Sequence, residues 1–289
     1  MIFANFLTKL KGMCFHKRSQ DLRSHQMLHK LAVVSILKNE ARYIKEWLDY
    51  HRLVGVDHFY LYDNESSDNV FEILEPYINQ GIVSYDFIAG RGKQLEVYNA
   101  ALLKHRDDSE LLAFIDIDEF MVPLSAPYDL YKQFSEILAI DKNAAGVSVN
   151  WRMFGSSGFD RKPSTGCVID NFLWRAKDDG LGNNCVKAVV KPNFCESFPN
   201  PHYPKLIPGK YMISEKGTPV KEWQNIDLTL NKVRINHYFT KSKEEWTERR
   251  SLGAADSGKL NRTIEDFYLY DNNDMYDDKI LNIVRELSK

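Results

Sequence analysis

The segment LAVVSIL (31–37) is a continuous apolar, β-branched run, and Lys38, Asn39 and Glu40 follow it directly. A run with no polar face fits a strand covered on both sides, as in a parallel sheet. The pattern then repeats along the chain. Tyr43, Ile44, Trp47, Leu48 and His51 line one face of a helix that Asn39 and Glu40 open and Gly55 stops. HFYLYD (58–63) reads as a second strand, and Ser67 or Asp68 is expected to cap a helix over 70–78. IVSYDFI, a helix over 94–105 and then LLAFIDID continue the alternation. This order predicts an α/β fold with a mostly parallel, doubly wound sheet. The second half, with most of the prolines, predicts an irregular lobe.

Ligands of such sheets bind beyond the carboxyl ends of the strands. The polar residues expected there are Lys38, Asn39, Glu40, Asp63, Asn64, Asp68, Arg91, Lys93, Asp116 and Asp118. The central motif is FIDIDEF (114–120). Strand alternation predicts Asp116 and Asp118 on one side of the strand end. Buried charge needs a partner, and two carboxylates make a hard oxygen site for Mn²⁺ or Mg²⁺. Such an ion bridges a diphosphate and neutralises a leaving nucleotide. The alternative is that one Asp caps the next turn and the other forms an ion pair. Asp63 is expected to meet a ribose or base, with an Asx-type turn in DNESS as the alternative. Arg91 and Lys93 in AGRGK offer positive charge to phosphate. Neither a P-loop nor G-x-G-x-x-G is present, which disfavours a dinucleotide dehydrogenase. His237 is a sensible third metal ligand or a structural histidine; His202 in NPHYP is its rival, and His51 is expected in the core.

At 289 residues the chain suits one domain with small additions, and a net charge of −2 gives no basic field for nucleic acid. The expected organisation is a basic amphipathic segment (1–29), a main domain (30–250) with lobes 30–125 and 126–250, and a C-terminal helical segment (251–289). Residues 1–29 carry Ile2, Phe3, Phe6, Leu7 and Leu10 at helical spacing among Lys and Arg. That pattern predicts peripheral association with an anionic inner leaflet; a locally packed terminal helix is the other reading. Four cysteines without C-x-x-C spacing, no apolar run long enough to span a bilayer and no secretory h-region predict a cytoplasmic setting with free thiols.

The segment SILKNEARYIKEWLDYHRLVGVDHFYLYDNESSD resembles the opening of family 92 glycosyltransferases and their bacterial relatives in the wider family 2-like group. FIDIDEF resembles their D-x-D-E-F element. WRMFGSSG, the lysine-bearing CVKAVVKP and INHYFTKSKEEW resemble later blocks, in the same order over residues 31–250. The resemblance implies the GT-A fold, a UDP-sugar donor (often UDP-galactose), a divalent cation, usually Mn²⁺, and inversion at the anomeric carbon. It places Asp116 and Asp118 at the metal and Asn39 and Glu40 in the nucleotide pocket. It sets Asp63 near uridine and His237 near metal and diphosphate, with Lys241 and Ser242 in the adjoining loop. Animal members carry an N-terminal membrane anchor, and none is expected here. The expectation is therefore a bacterial-type enzyme that modifies a cell-surface glycan or glycolipid in polysaccharide or lipopolysaccharide synthesis. Arg91 or Lys93 is expected to assist the leaving group. Candidates for the general base are Glu119, beside Asp118, and Asp160, Asp178 or Asp179; each has a structural or solvated role as its alternative. Trp151, Phe154 and Trp174 stack on sugar or pack in the core. Two competing readings are a metal-dependent nucleotidyltransferase and a non-catalytic carbohydrate-binding protein of the same fold.

Overall fold

Strand β1 (His29–Leu37) lies buried between parallel neighbours β2 (His58–Asp63) and β4 (Ser109–Phe114). The structure, a computed structural model, describes residues 27–228, 230–250 and 263–289. The remaining elements in chain order are α1 (Ile44–Leu53), α2 (Val70–Asn79), β3 (Val83–Phe87), α3 (Gln94–Lys104), β5 (Glu119–Pro123), α4 (Leu130–Leu138), β6 (Ala144–Met153) and α5 (Val168–Asn171). They continue with β7 (Trp174–Arg175), β8 (Val186–Val190), β9 (Cys195–Ser197), β10 (Lys205–Leu206), β11 (Tyr211–Ile213), β12 (Pro219–Val220) and β13 (Val233–His237). Last come α6 (Lys243–Arg250), α7 (Ile264–Tyr270), β14 (Met275–Tyr276) and α8 (Lys279–Leu287).

The main sheet runs β12–β11–β6–β8–β4–β1–β2–β3, and β13 joins β6 to β5. Strands β1 to β4 are mutually parallel, as an all-apolar β1 requires. Alternation divides the core. Leu31, Val33 and Leu37 pack with the apolar face of α1, Ile44, Trp47 and Leu48. Ala32, Val34 and Ile36 pack on the other side with Val97, Tyr98, Ala101 and Leu102 of α3. The chain therefore steps outward from β1 to β3, and α3 crosses the opposite face to return beside β1. The reversal creates a crevice at the carboxyl ends of β1 and β4. Strand β8 then enters antiparallel between β4 and β6.

Two expectations are revised. First, β4 ends at Phe114 and β5 begins at Glu119, so Asp116 and Asp118 sit in a turn rather than on a strand. Strand alternation does not apply there. Second, the cap position of α2 is Asn69, with no side-chain capping bond; Asp68, one residue earlier, accepts from Val70 N, the first N–H of the helix, at 3.3 Å and from Ala41 N at 2.9 Å, which ties the two loops together. The expected lobes 30–125 and 126–250 are joined by the pairing of β5 along its length with β13. The segment after 263 holds helices α7 and α8 together with β14, which pairs with β7, and Ile280 and Ile283 of α8 enter the main core. Residues 1–26, which hold most of the amphipathic segment, lie outside the described residues, and β1 already starts at His29. Among the described residues no helix is long and apolar enough to cross a membrane.

Candidate active site

The turn between β4 and β5 is held rigidly from below. Trp47 Nε1 donates to the Glu119 carbonyl at 2.8 Å. His51 Nε2 accepts from Met121 N at 3.1 Å, while its Nδ1 donates to the Trp47 carbonyl at 2.8 Å. Burial lowers the His51 pKa to about 3, so this core imidazole stays neutral.

From this turn the two aspartates diverge. Asp116 is drawn towards α3 and β8. Its Oδ1 accepts from Gln94 Nε2 at 2.6 Å and Tyr98 OH at 3.3 Å, and its Oδ2 pairs with Lys187 Nζ at 2.9 Å. Asp118 faces β13 and α6. Its Oδ2 accepts from Arg249 Nη1 at 2.7 Å, and its Oδ1 lies 3.7 Å from His237 Nε2. Burial opposes ionisation of Asp118, but Arg249, then His237, hold its pKa well below the carboxylate range. Of the two rival histidines, His237 is the one against Asp118. His202 lies behind Trp151, whose ring is 4.2 Å from His237 and 5.2 Å from His202.

Glu119 belongs to the scaffold. It is fully buried, and its Oε2 accepts from Asp116 N at 3.0 Å and stands 3.7 Å from Lys187 Nζ. Burial raises its pKa, with Lys187 opposing. Its carboxylate therefore faces the backbone of its own turn and Lys187, not the open crevice. Asp160 is exposed on the loop between β6 and α5, where its carbonyl accepts from Glu244 N of α6 at 2.9 Å; among the described residues no contact joins it to Asp118 or His237. Arg91 is exposed, and Lys93 pairs with Glu96 at 2.6 Å, so neither contacts Asp118. Phe154 is core, whereas Trp174 is partly exposed.

The loops after β1 and β2 complete the edge. Asn39, at φ 57°, accepts from Ser67 N at 2.7 Å. Asp63 is turned into its own loop, accepting from Ser66 N at 2.8 Å and from the Tyr85 hydroxyl. It thus makes the Asx-type turn. An open cleft of about 520 Å³ lies here, lined by Asn39, Ala41, Arg42, Ser67, Asp68, Asn69 and Lys162. Glu40 stands beside the cleft with Lys241 Nζ at 3.9 Å. Lys241 is buried in the left-handed region at φ 49°, with its ammonium 4.6 Å from the Tyr43 ring centre. Non-glycine residues at positive φ are costly and concentrate at functional sites. Five charged or ionisable groups thus meet at one edge: Glu40, Asp118, His237, Lys241 and Arg249.

The residues fit a divalent cation in part. Two bonds of about 2.1 Å to one ion span at most about 4.2 Å, so Asp118 Oδ1 and His237 Nε2 at 3.7 Å can share it. No set of three acidic, histidine or cysteine ligands exists among the described residues. That suits an ion held by one or two protein ligands and completed by phosphate and water. Asp116, committed to Lys187, is not in this set.

Lys187 and Arg249 carried no assigned role in the sequence. Lys187 had a readable signal: a charge inside the apolar strand VKAVV demands a buried partner. Arg249 had none, because KEEWTERR reads as a solvated helix.

Residues 33–267 match the family model of glycosyltransferase family 92. A family 92 protein of Ricinus communis is 25% identical over 264 residues, covering 83% of this chain and 48% of its own length. One of Oryza sativa subsp. japonica is 33% identical over 95 residues, covering 32% of this chain and 16% of its own. The chain thus spans about half the length, or less, of these curated relatives. Among solved structures, S. aureus TarS in complex with UDP aligns at 15% identity with a TM-score of 0.39, over 57% of this chain and 47% of that one.

Proposed function

Because this chain belongs to glycosyltransferase family 92, we propose that it moves a sugar from a UDP-sugar to a hydroxyl of a glycan or glycolipid, with inversion at the anomeric carbon. The observation that carries the reading is the meeting of Asp118, His237, Glu40, Lys241 and Arg249 at the crevice edge, beside the cleft lined by Asn39 and Asp68. The cleft suits a nucleoside, with ribose hydroxyls facing its polar rim. Lys241 and Arg249 supply positive charge on the diphosphate side, where fixed cations stabilise charge that develops on a leaving group. Asp118 and His237 would hold Mn²⁺ or Mg²⁺, which when bound neutralises the departing diphosphate. The wider reading has galactose as the first sugar to test, a cell-surface polysaccharide or lipopolysaccharide as product, and residues 1–29 as a peripheral contact with the inner leaflet.

The test is UDP release from UDP-galactose, UDP-glucose and UDP-N-acetylglucosamine, with Mn²⁺ or with chelator. Asp118→Asn should cut kcat by roughly 10²-fold or more in a folded protein, the scale of losing one electrostatic contact to the leaving group. Pyrophosphate as product would favour a nucleotidyltransferase. Glycan binding without turnover would mark a non-catalytic member. Unchanged turnover in folded Asp118→Asn would sink the site assignment.

A further inference from the structure

The transfer needs a base for the acceptor hydroxyl; Asp160 is exposed with no contact to Asp118 or His237 among the described residues, and the other acidic candidates are engaged elsewhere. Glu119 is sealed in the core. Asp178 pairs with Arg175 at 2.9 Å and Arg152 at 3.5 Å, and Asp179 lies 3.8 Å from Lys177. We propose that His202 is the base that takes the proton from the acceptor hydroxyl, and that Trp151 and Trp223 beside it seat the acceptor sugar. This rests on the sugar-transfer reading above.

Three observations carry it. The first is the tautomer. His202 Nδ1 lies 3.0 Å from the Val186 carbonyl, which can only accept, so Nδ1 bears the hydrogen and Nε2 the lone pair. Nε2 has no protein partner among the described residues. The second is rigidity. Pro199, Pro201 and Pro204 stiffen the loop, Asn200 Oδ1 accepts from His202 N and Tyr203 N at 2.9 Å each, and Tyr203 OH donates to the Val220 carbonyl at 2.7 Å. A base held in this way needs no reordering at the moment of reaction.

The third is position. The His202 ring stands between two indoles, 5.2 Å from Trp151 and 6.3 Å from Trp223. Trp151 reaches His237, which faces Asp118, so one indole separates the base from the leaving-group end. Trp223 is 42% exposed, an open aromatic surface suited to a pyranose ring. The charged and titratable groups around His202 are Lys187, Asp116 and His237. Burial first, then Lys187, lowers the His202 pKa to about 4, so the ring is neutral at pH 7 and comparable in strength to a carboxylate base.

In the step, the acceptor O–H bond breaks and Nε2 takes the proton. The oxygen forms its bond to the anomeric carbon as the bond to the diphosphate oxygen breaks. UDP leaves with that electron pair, and the imidazolium then gives its proton to water.

The experiment compares wild type, His202→Ala, His202→Gln and Trp223→Ala by UDP release and by calorimetric binding of the UDP-sugar that wild type uses. The His202 variants should lose roughly 10²- to 10⁴-fold in kcat, the usual yield of a positioned base, and keep the donor Kd within about twofold. Added imidazole should restore part of the His202→Ala turnover, which a merely structural role would not allow. Trp223→Ala should raise the acceptor KM roughly tenfold at unchanged donor Kd. A His202 variant that binds donor normally and keeps kcat within about threefold overturns the proposal. So does lost turnover in both variants with no response to imidazole. Wild type that binds no UDP-sugar overturns the underlying reading instead.

Discussion

Replacing Lys187 with Met tests whether the turn holding Asp116 and Asp118 is built on a buried charge triad. Lys187 is 1% exposed, and its ammonium pairs with Asp116 at 2.9 Å and Glu119 at 3.7 Å. Met fills most of the volume and removes the charge. Removing one partner of a buried pair costs roughly 3–5 kcal/mol. Asp116, with a third of its side chain exposed, can rehydrate, and Glu119 can take up a proton, so about 3 kcal/mol is the expected loss. For a chain of this size that corresponds to roughly 6 °C in Tm. The pH dependence has a definite sign. Burial already raises the Glu119 pKa, and loss of Lys187 raises it further. A raised folded-state pKa gives stability that is present below the unfolded pKa and lost as pH rises through the folded one. The deficit of Lys187→Met should therefore be largest near about pH 8 and shrink towards about pH 5. Adding Glu119→Gln should return roughly 1–2 kcal/mol, because a neutral amide needs no counter-charge. Urea unfolding followed by tryptophan fluorescence at three pH values measures all of this. A loss below about 1 kcal/mol, or a deficit that grows as pH falls, would refute the reasoning.

Two further outcomes follow from other buried contacts. Asp277 accepts from Arg234 at 2.7 and 2.8 Å and from Arg175 at 2.6 Å; burial opposes its charge, but Arg234 and then Arg175 lower its pKa to about 2. That depression from 3.8 stabilises the fold by roughly 2.5 kcal/mol above about pH 4 and is lost as pH falls through about 2. Asp277→Asn should lose about 3 kcal/mol at neutral pH and flatten the acid limb of the stability profile, as read by urea midpoints against pH. A Cβ on Gly146 would lie 2.3 Å from the Val189 carbonyl oxygen, backbone that cannot yield cheaply. Gly146→Ala should cost roughly 2 kcal/mol in the same assay, and a neutral result would mean that β6 and β8 separate more easily than their register suggests.

The first half of the fold was legible because its strands are buried on both faces and its helices on one. Expected and observed bounds of β2 and α3 agree to within a residue, whereas α1 begins at Ile44 and not at Asn39 and Glu40, which lie in the loop before it. The geometry of the acidic motif was not legible, because FIDID alternates as well in a turn as in a strand. Its fate was decided by partners far along the chain. Lys187 is 71 residues from Asp116, and Arg249 is 131 residues from Asp118. Local periodicity carries no information over such distances, and a charge-rich helix such as α6 advertises none of its contacts. His237 and Glu40 were anticipated at the site, and the structure brings both to the edge that holds Asp118.

The antiparallel entry of β8 between β4 and β6 has a consequence for biosynthesis. A nascent chain halted before residue 186 has made the acidic turn but not the strand that pairs with β4 or the ammonium that neutralises Glu119. Until that strand emerges from the ribosome, an apolar sheet margin stays open and an anion lacks its counter-ion. Those conditions slow folding and invite association with other chains.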